Sequence, residues 1–425
     1  MKRILVLMVL ALVGCSATPK SDVVKLRFLS LAWQKESVAV NKQIVAEWNR
    51  THPRVQVEYV PGSWDSIHDQ LLTSFAGGEA ADVIHNSSDD LSEFAHGGYL
   101  ADLTTLLPAG LKADIPEATW ETTRFKQGVY GVPFLQEPKV ILANRALLTQ
   151  AGVRFPTPDR PWTWDEFAEI SKKLTRDTSG DGKADQYGFA WPMKQPVSTM
   201  LNLALNFDGR FFYPRDGKVL ADVGPAERQV LQRVHAQLHT DGSAAPGALG
   251  MSGSDSLPGF FAGKYAMVSL GLSYRQQMRQ QAPKGFDWVT LPPLSGTGPE
   301  QGVSPQTLSI SEDSPHKREA MEFIDHLVNP RNTARLALGD WMLPTSTKAM
   351  AAPELNTTEF GWNVGVAAGA ALRTSPSQRV RGYAEWKDKI ATPAFQQYFR
   401  NQISIDELSR KLTEDGNRVL ARYQR

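Results

Sequence analysis

From Val24 onward the chain alternates short strand-like runs with amphipathic helical runs, and few architectures accept that alternation. Lys25-Leu26-Arg27-Phe28-Leu29-Ser30 alternates apolar and polar residues, as a half-buried strand does. Val40, Ile44, Val45 and Trp48 then recur at helical spacing, and Val55-Gln56-Val57-Glu58-Tyr59-Val60 reads as a second strand. Trp64, Ile67, Leu71, Leu72 and Phe75 mark a second helix. Gly77-Gly78 would end it, because glycine enters the left-handed conformation of a C-cap without steric cost. Ala81-Asp82-Val83-Ile84 is a third strand, and Asp89 or Asp90 is placed to cap the helix through Leu91 and Phe94. Such repeated units predict an α/β fold of mainly parallel sheets flanked by helices, with ligands beyond the carboxyl ends of the strands. The loops at those ends, Trp33 to Glu36 and His85 to Asp89, are polar, and each precedes a helix N-terminus.

Lys plus Arg number 46 against 45 Asp plus Glu. The two signs are interspersed, so the charge pattern points away from nucleic acid and puts binding in a local site. Cys15 is the only cysteine, which excludes disulfides within the chain. It follows Lys2-Arg3 and the apolar run Ile4 to Val13, too short for the roughly 20 apolar residues that span a bilayer. The segment resembles the bacterial lipoprotein signal. That resemblance implies removal of residues 1–14, lipid on Cys15, a tether at 15–23, and a protein held on the extracytoplasmic face of the cell membrane. The remaining 411 residues (425 − 14) are enough for two substantial cores.

Tryptophan is the one compositional excess, with 11 in the chain. Trp33, Trp64, Trp191, Trp341 and Trp362 lie in or beside segments rich in Gly, Pro, Ser, Asn or Gln. Each alone is as readily a core residue. Together at loop edges they suit a ligand that is part apolar and part hydroxylated, as sugars are.

The middle of the chain carries a family resemblance. Gly128-Val129-Tyr130-Gly131-Val132-Pro133, Val140 to Leu148, Ala151-Gly152-Val153 and Pro161-Trp162-Thr163-Trp164-Asp165-Glu166-Phe167 look like the signature run of family 1 extracellular solute-binding proteins, the sugar receptors of ABC importers. Asp177 to Gly188, Met267 to Gly271, Glu319 to Leu327 and Gly339 to Thr345 continue the match in the family's order. The resemblance implies two α/β lobes joined by chain crossovers with the ligand between them. Lobe one is placed at 24–135 plus 286–335, and lobe two at 136–285 plus 336–425. It also implies two permease subunits and a cytosolic ATPase as partners, and a receptor that acts as a monomer without nucleotide.

Matched by position, the family's ligand contacts fall on Gln34, Trp64, Asn86 and Asp89 in one lobe. In the other they fall on Glu137, Trp191, Asn206, Tyr274 and Trp341. Carboxylates accept from adjacent hydroxyls, amides both donate and accept, and an indole covers the C–H face of a sugar ring. Stacking that buries about 80 Å² on one Trp contributes about 2 kcal/mol. Two or three such contacts plus hydrogen bonds approach the roughly 8 kcal/mol of a micromolar complex. Each residue also has a plainer reading: Asp89 as a helix cap, Glu137 as a surface carboxylate near a hinge, Trp64 as helix packing. Two departures from the family pattern are visible. The ring expected just after Gly271 is absent, so it is either displaced, as to Tyr274, or supplied elsewhere, and Asn86 stands where some relatives carry an aromatic ring.

Asp177, Ser179, Asp181 and Asp185 take the first, third, fifth and ninth places of a loop with Gly182 sixth, the spacing of a structural calcium loop. Gly188 stands where the bidentate Glu would be, so a metal-free turn rich in Asp is the other reading. No other cofactor is implied. Two rival functions remain open: a binding protein for a sugar phosphate, polyamine or metal, and a secreted carbohydrate-active enzyme. Against the enzyme, the chain holds no Gly-x-Ser-x-Gly elbow and no His-Glu-x-x-His motif.

Overall fold

The computed structural model describes residues 23–424, so Cys15 and its expected lipidation lie outside the described residues. Ten strands build two main sheets: β1 Val24–Ser30, β2 Val55–Pro61, β3 Val83–Ser87, β4 Val132–Gln136, β5 Lys139–Asn144, β6 Tyr187–Ala190, β7 Tyr265–Gly271, β8 Trp288–Leu291, β9 Gln306–Ile310 and β10 Leu343–Pro344. The first sheet has the order β10-β4-β9-β3-β1-β2, and the second β8-β5-β7-β6. The helices that matter for the site are α1 Lys35–Thr51, α2 Ile67–Gly77, α3 Leu91–His96, α4 Trp164–Leu174, α5 Tyr274–Gln281, α6 Lys317–Leu327 and α7 Pro330–Asp340.

Local chemistry accounts for these elements. In β1, Leu26, Phe28 and Ser30 are buried while Lys25 and Arg27 face outward, so the alternation written in the sequence is the alternation of the strand. α1 buries Ile44, Val45 and Trp48 on one stripe. α2 stops at Gly78, whose φ of 65° is the left-handed C-cap. α4 starts with a full capping box, Thr163 accepting from the Glu166 N–H and Glu166 accepting from the Thr163 N–H.

The sheets are mixed, whereas the sequence predicts mainly parallel ones. β1 pairs parallel with β2 and β3, and β7 with β6. All pairs made by β4, β5, β8, β9 and β10 are antiparallel. Strands joined through a helix return in the same direction, while β9 enters the first sheet after an excursion through the second and runs the other way. The expected division of the chain also differs at two places. Trp288–Leu291 pairs with β5 in the second sheet, and Leu343–Pro344 pairs with β4 in the first. Trp341, Met342, Leu355 and Trp362 belong to the first core. Apolar periodicity marks that a strand exists but is silent about its partner.

Each sheet has its own core. Leu26, Phe28, Trp48, Leu308 and Phe323 lie in the first, and Phe167, Phe189, Trp191, Met200 and Trp386 in the second. Near the C-terminus Leu408, Leu412 and Leu420 are fully buried in the second core. Three chain crossings join the lobes, and they are laced together. The first is Glu137-Pro138. The second contains Gln301–Val303, which pairs in parallel with Leu372–Thr374 of the third. The buried Gln301 amide accepts from the Lys139 N–H at 3.0 Å and donates to the Lys139 carbonyl at 3.2 Å. Among the described residues no helix is long and apolar enough to cross a membrane.

Candidate functional site

The first lobe presents the β1–α1 loop and the end of α7 to the turn that leads from β7 into α5 of the second. Gln34 donates through Nε2 to the Ser273 carbonyl at 3.1 Å, a bond from lobe to lobe. Its Oε1 is buried without a donor. Glu137, at the first crossing, accepts the Ser273 N–H at 2.9 Å on Oε2. Its Oε1 has no protein donor among the described residues. Gly271 permits this approach, because a Cβ there would sit 2.5 and 2.6 Å from the two carboxylate oxygens. A half-buried carboxylate with one free oxygen is therefore fixed between the lobes.

Around it α5 reaches into the first lobe. Arg275, wholly buried, donates to the carbonyls of Leu272, Phe360 and Trp341, and its guanidinium lies 4.3 Å from the Trp362 ring centroid and 5.4 Å from that of Trp341. No carboxylate forms an ion pair with it among the described residues. Burial holds its pKa down to about 9, and the Glu137 charge opposes that shift. Gln276 donates to Glu36 Oε2 at 3.0 Å and to the Gly339 carbonyl at 2.8 Å. Trp341 donates its indole N–H to the same Glu36 oxygen at 3.1 Å, and Arg279 stands 3.6 Å from the other. Asp340, beside them and 4% exposed, is pushed up to about 7 by burial, with the Glu137 charge adding to the shift.

Of the residues singled out from the sequence, Gln34, Glu137, Tyr274 and Trp341 come together at this junction. Trp64 and Asn86 lie on the first lobe: Trp64 stands edge-on to His85 at 5.5 Å, and Asn86 donates to Asp90 at 3.1 Å while its Oδ1 is buried without a donor. Asp89 is not a helix cap. Its Oδ1 accepts from Ser304 at 2.8 Å, Ser377 at 2.6 Å and Gln378 at 3.1 Å, which ties the first lobe to the second and third crossings. Burial raises its pKa. Ser87 takes the capping role instead, accepting the Asp89 N–H.

Trp191 and Asn206 are not at the junction. Trp191 is 2% exposed, stacks on Trp164 at 6.0 Å and donates to Gln237 at 2.8 Å inside the second core. Asn206 is wholly buried, accepting from Trp164 and donating to the Glu300 carbonyl. Their polar sequence neighbours suggest a loop edge, but each finds its partners in the interior, the Trp191 indole on Gln237 and the Asn206 amide on Trp164 and Glu300. Sequence reasoning in turn missed Glu36, Arg275 and Gln276. A markedly polar helix following a buried strand was the available signal.

The loop of Asp177, Ser179, Asp181 and Asp185 is exposed and closes on itself. Asp177 accepts from the N–H groups of Gly180 and Gly182, Asp181 from that of Lys183, and Asp185 from Thr178. Among the described residues no three His, Cys, Asp or Glu side chains converge as a metal site requires. Those hydrogen bonds are the ones a turn built on Asp side chains makes.

Residues 33–334 match the sequence profile of the family described as bacterial extracellular solute-binding protein. An uncharacterized lipoprotein from the oleD 5′ region of Streptomyces antibioticus is 56% identical over 95% of this chain and 89% of its own. Among solved structures, an ABC substrate-binding protein from Listeria monocytogenes in complex with cycloalternan superposes with a TM-score of 0.79 at 19% identity, covering 94% of this chain and all of that one. The GacH receptor of Streptomyces glaucescens, solved unliganded and with acarbose, gives 0.78 at 19% identity over 94% and 99%. The profile match spans most of the chain, and the structures share its two-lobed fold. The protein belongs to the bacterial extracellular solute-binding proteins.

Proposed function

We propose that this protein is the extracytoplasmic receptor of an ABC importer, and that it takes a mono- or oligosaccharide between its lobes and presents it to membrane permease subunits. The observation that carries the reading is the junction itself: the Glu137 carboxylate with one free oxygen, among Gln34, Tyr274 and Trp341, where both lobes meet. Acceptors beside aromatic rings match a polyol's hydroxyls and C–H faces. The ligands of the structural neighbours, cycloalternan and acarbose, are consistent with that chemistry. The lipoprotein relative supports a lipid anchor on Cys15 facing away from the cytoplasm.

A thermal-shift screen of saccharides, sugar phosphates and polyamines tests the reading. A saccharide is expected to raise the melting temperature, since ligand at a hundred times its Kd adds about 2.7 kcal/mol of stability. Glu137→Ala is expected to abolish most of that shift, and the saccharide is expected to be recovered uncleaved. Stabilisation by phosphates or amines alone would replace the saccharide by a charged solute. Cleaved products would make the protein an enzyme.

A further inference from the structure

His85 lies on β3, the strand between β9 and β1, and is 2% exposed. Its ring meets Trp64 edge-on at 5.5 Å and Phe134 at 5.0 Å. Nδ1 accepts the buried Leu31 N–H at 3.0 Å, just past the end of β1. A ring nitrogen that accepts from an amide carries no proton, so the proton is on Nε2, which donates to Gln306 Oε1 on β9 at 2.9 Å. That bond fixes the Gln306 amide in turn: its Nε2 donates to the Met342 sulfur at 3.2 Å. Burial holds the imidazole's pKa down to about 4, with the Gln306 bond opposing, and no charged side chain contributes.

This relay begins and ends on the two pieces of the first lobe that meet the second. Leu31 opens the loop that carries Trp33, 46% exposed with its ring 6.2 Å from that of Tyr274, and Gln34, which donates across to Ser273. Met342 follows Trp341, whose indole binds Glu36 beside Gln276 of α5. A buried backbone N–H without an acceptor is costly, so the loop favours the one position in which the imidazole takes its hydrogen. We propose that His85 is a positioning residue of the site, acting through Gln34 and Trp341: it sets the β1–α1 loop and the end of α7 in the arrangement that meets α5. This rests on the junction being the ligand site, and on nothing about the ligand's identity.

Amide hydrogen exchange of the unliganded protein, read by mass spectrometry on peptides spanning the Leu31 to Gln34 loop, tests this. His85→Leu fills the space but accepts nothing. It is expected to speed exchange in the loop about tenfold or more, while α4 in the second lobe exchanges as in the wild type. His85→Asn places an amide oxygen where Nδ1 stood and is expected to restore most of the protection. In small-angle scattering His85→Leu is expected to have a larger radius of gyration than the wild type or His85→Asn. Wild-type protection of the loop, corrected for intrinsic exchange, is expected to fall as pH is lowered through about 4, because an imidazolium cannot accept the Leu31 N–H. His85→Asn is expected to show no such step, a comparison that stands even where His85→Leu does not fold. Unchanged exchange in His85→Leu, equal loss in both variants, or a wild-type profile without the step would overturn the positioning role. A saccharide screen without a hit would leave these differences in place, so the two readings fail separately.

Discussion

Asp340 is a buried carboxyl whose pKa sits near 7, well above that of the unfolded chain, because desolvation penalises its charge. The folded protein therefore holds this proton more tightly than the unfolded chain. The stability so gained is complete below about pH 4 and is lost as pH rises through about 7. Asp340→Asn cannot ionise, so its stability relative to wild type is expected to climb between pH 4 and pH 8 in denaturant titrations. A difference that does not change with pH would show that Asp340 titrates normally. Trp191 provides the opposite kind of test. It packs inside the second core, so Trp191→Ala is expected to cost about 3 to 5 kcal/mol in denaturant unfolding while leaving saccharide affinity within about twofold. At this scale the sequence reveals residue types and their chemistry, as with Glu137. It does not reveal which indole faces the cleft: Trp33 and Trp191 both sit beside polar residues, and only packing separates them.

Among the elements, α5 links the lobes through Arg275, Gln276 and Arg279, all within its first two turns. Gln276 is 1% exposed, and its amide binds Glu36 and the Gly339 carbonyl of the opposite lobe. Hydrogen bonds to charged partners contribute about 1.5 to 3 kcal/mol. Gln276→Ala is therefore expected to favour the open form and to weaken ligand binding about tenfold or more. Its unliganded radius of gyration in small-angle scattering is expected to exceed that of the wild type, and an identical radius would remove α5 from the closing contacts. The strands and helices of the first ninety residues were legible because one apolar face alternates at period two or recurs at helical spacing. Sheet partners were not. β8 and β10 are short, and what sends Trp288–Leu291 to β5 and Leu343–Pro344 to β4 is the route of the crossings, which no local pattern encodes.

At the level of the whole molecule, the Gln301 brace and the parallel pairing of Gln301–Val303 with Leu372–Thr374 make the three crossings one structural unit. Lobes joined in this way can rotate about the crossings while each core stays intact, the hinge closure for which periplasmic binding proteins are known. The two-lobed organisation was legible only through family resemblance, since composition and periodicity say nothing of a cleft between discontinuous segments. Reversing an open-to-closed ratio of 99:1 takes about 5.5 kcal/mol of preference for the closed state. The direct lobe-to-lobe contacts of Gln34, Arg275 and Gln276 are already counted in the unliganded ratio, so on this reading that preference has to come from the ligand. The most direct measurement is small-angle scattering of the wild-type protein with and without a saturating saccharide identified by thermal shift. Closure on the sugar is expected to lower the radius of gyration in step with binding; a radius unchanged at saturation would contradict the closing of two lobes on a carbohydrate.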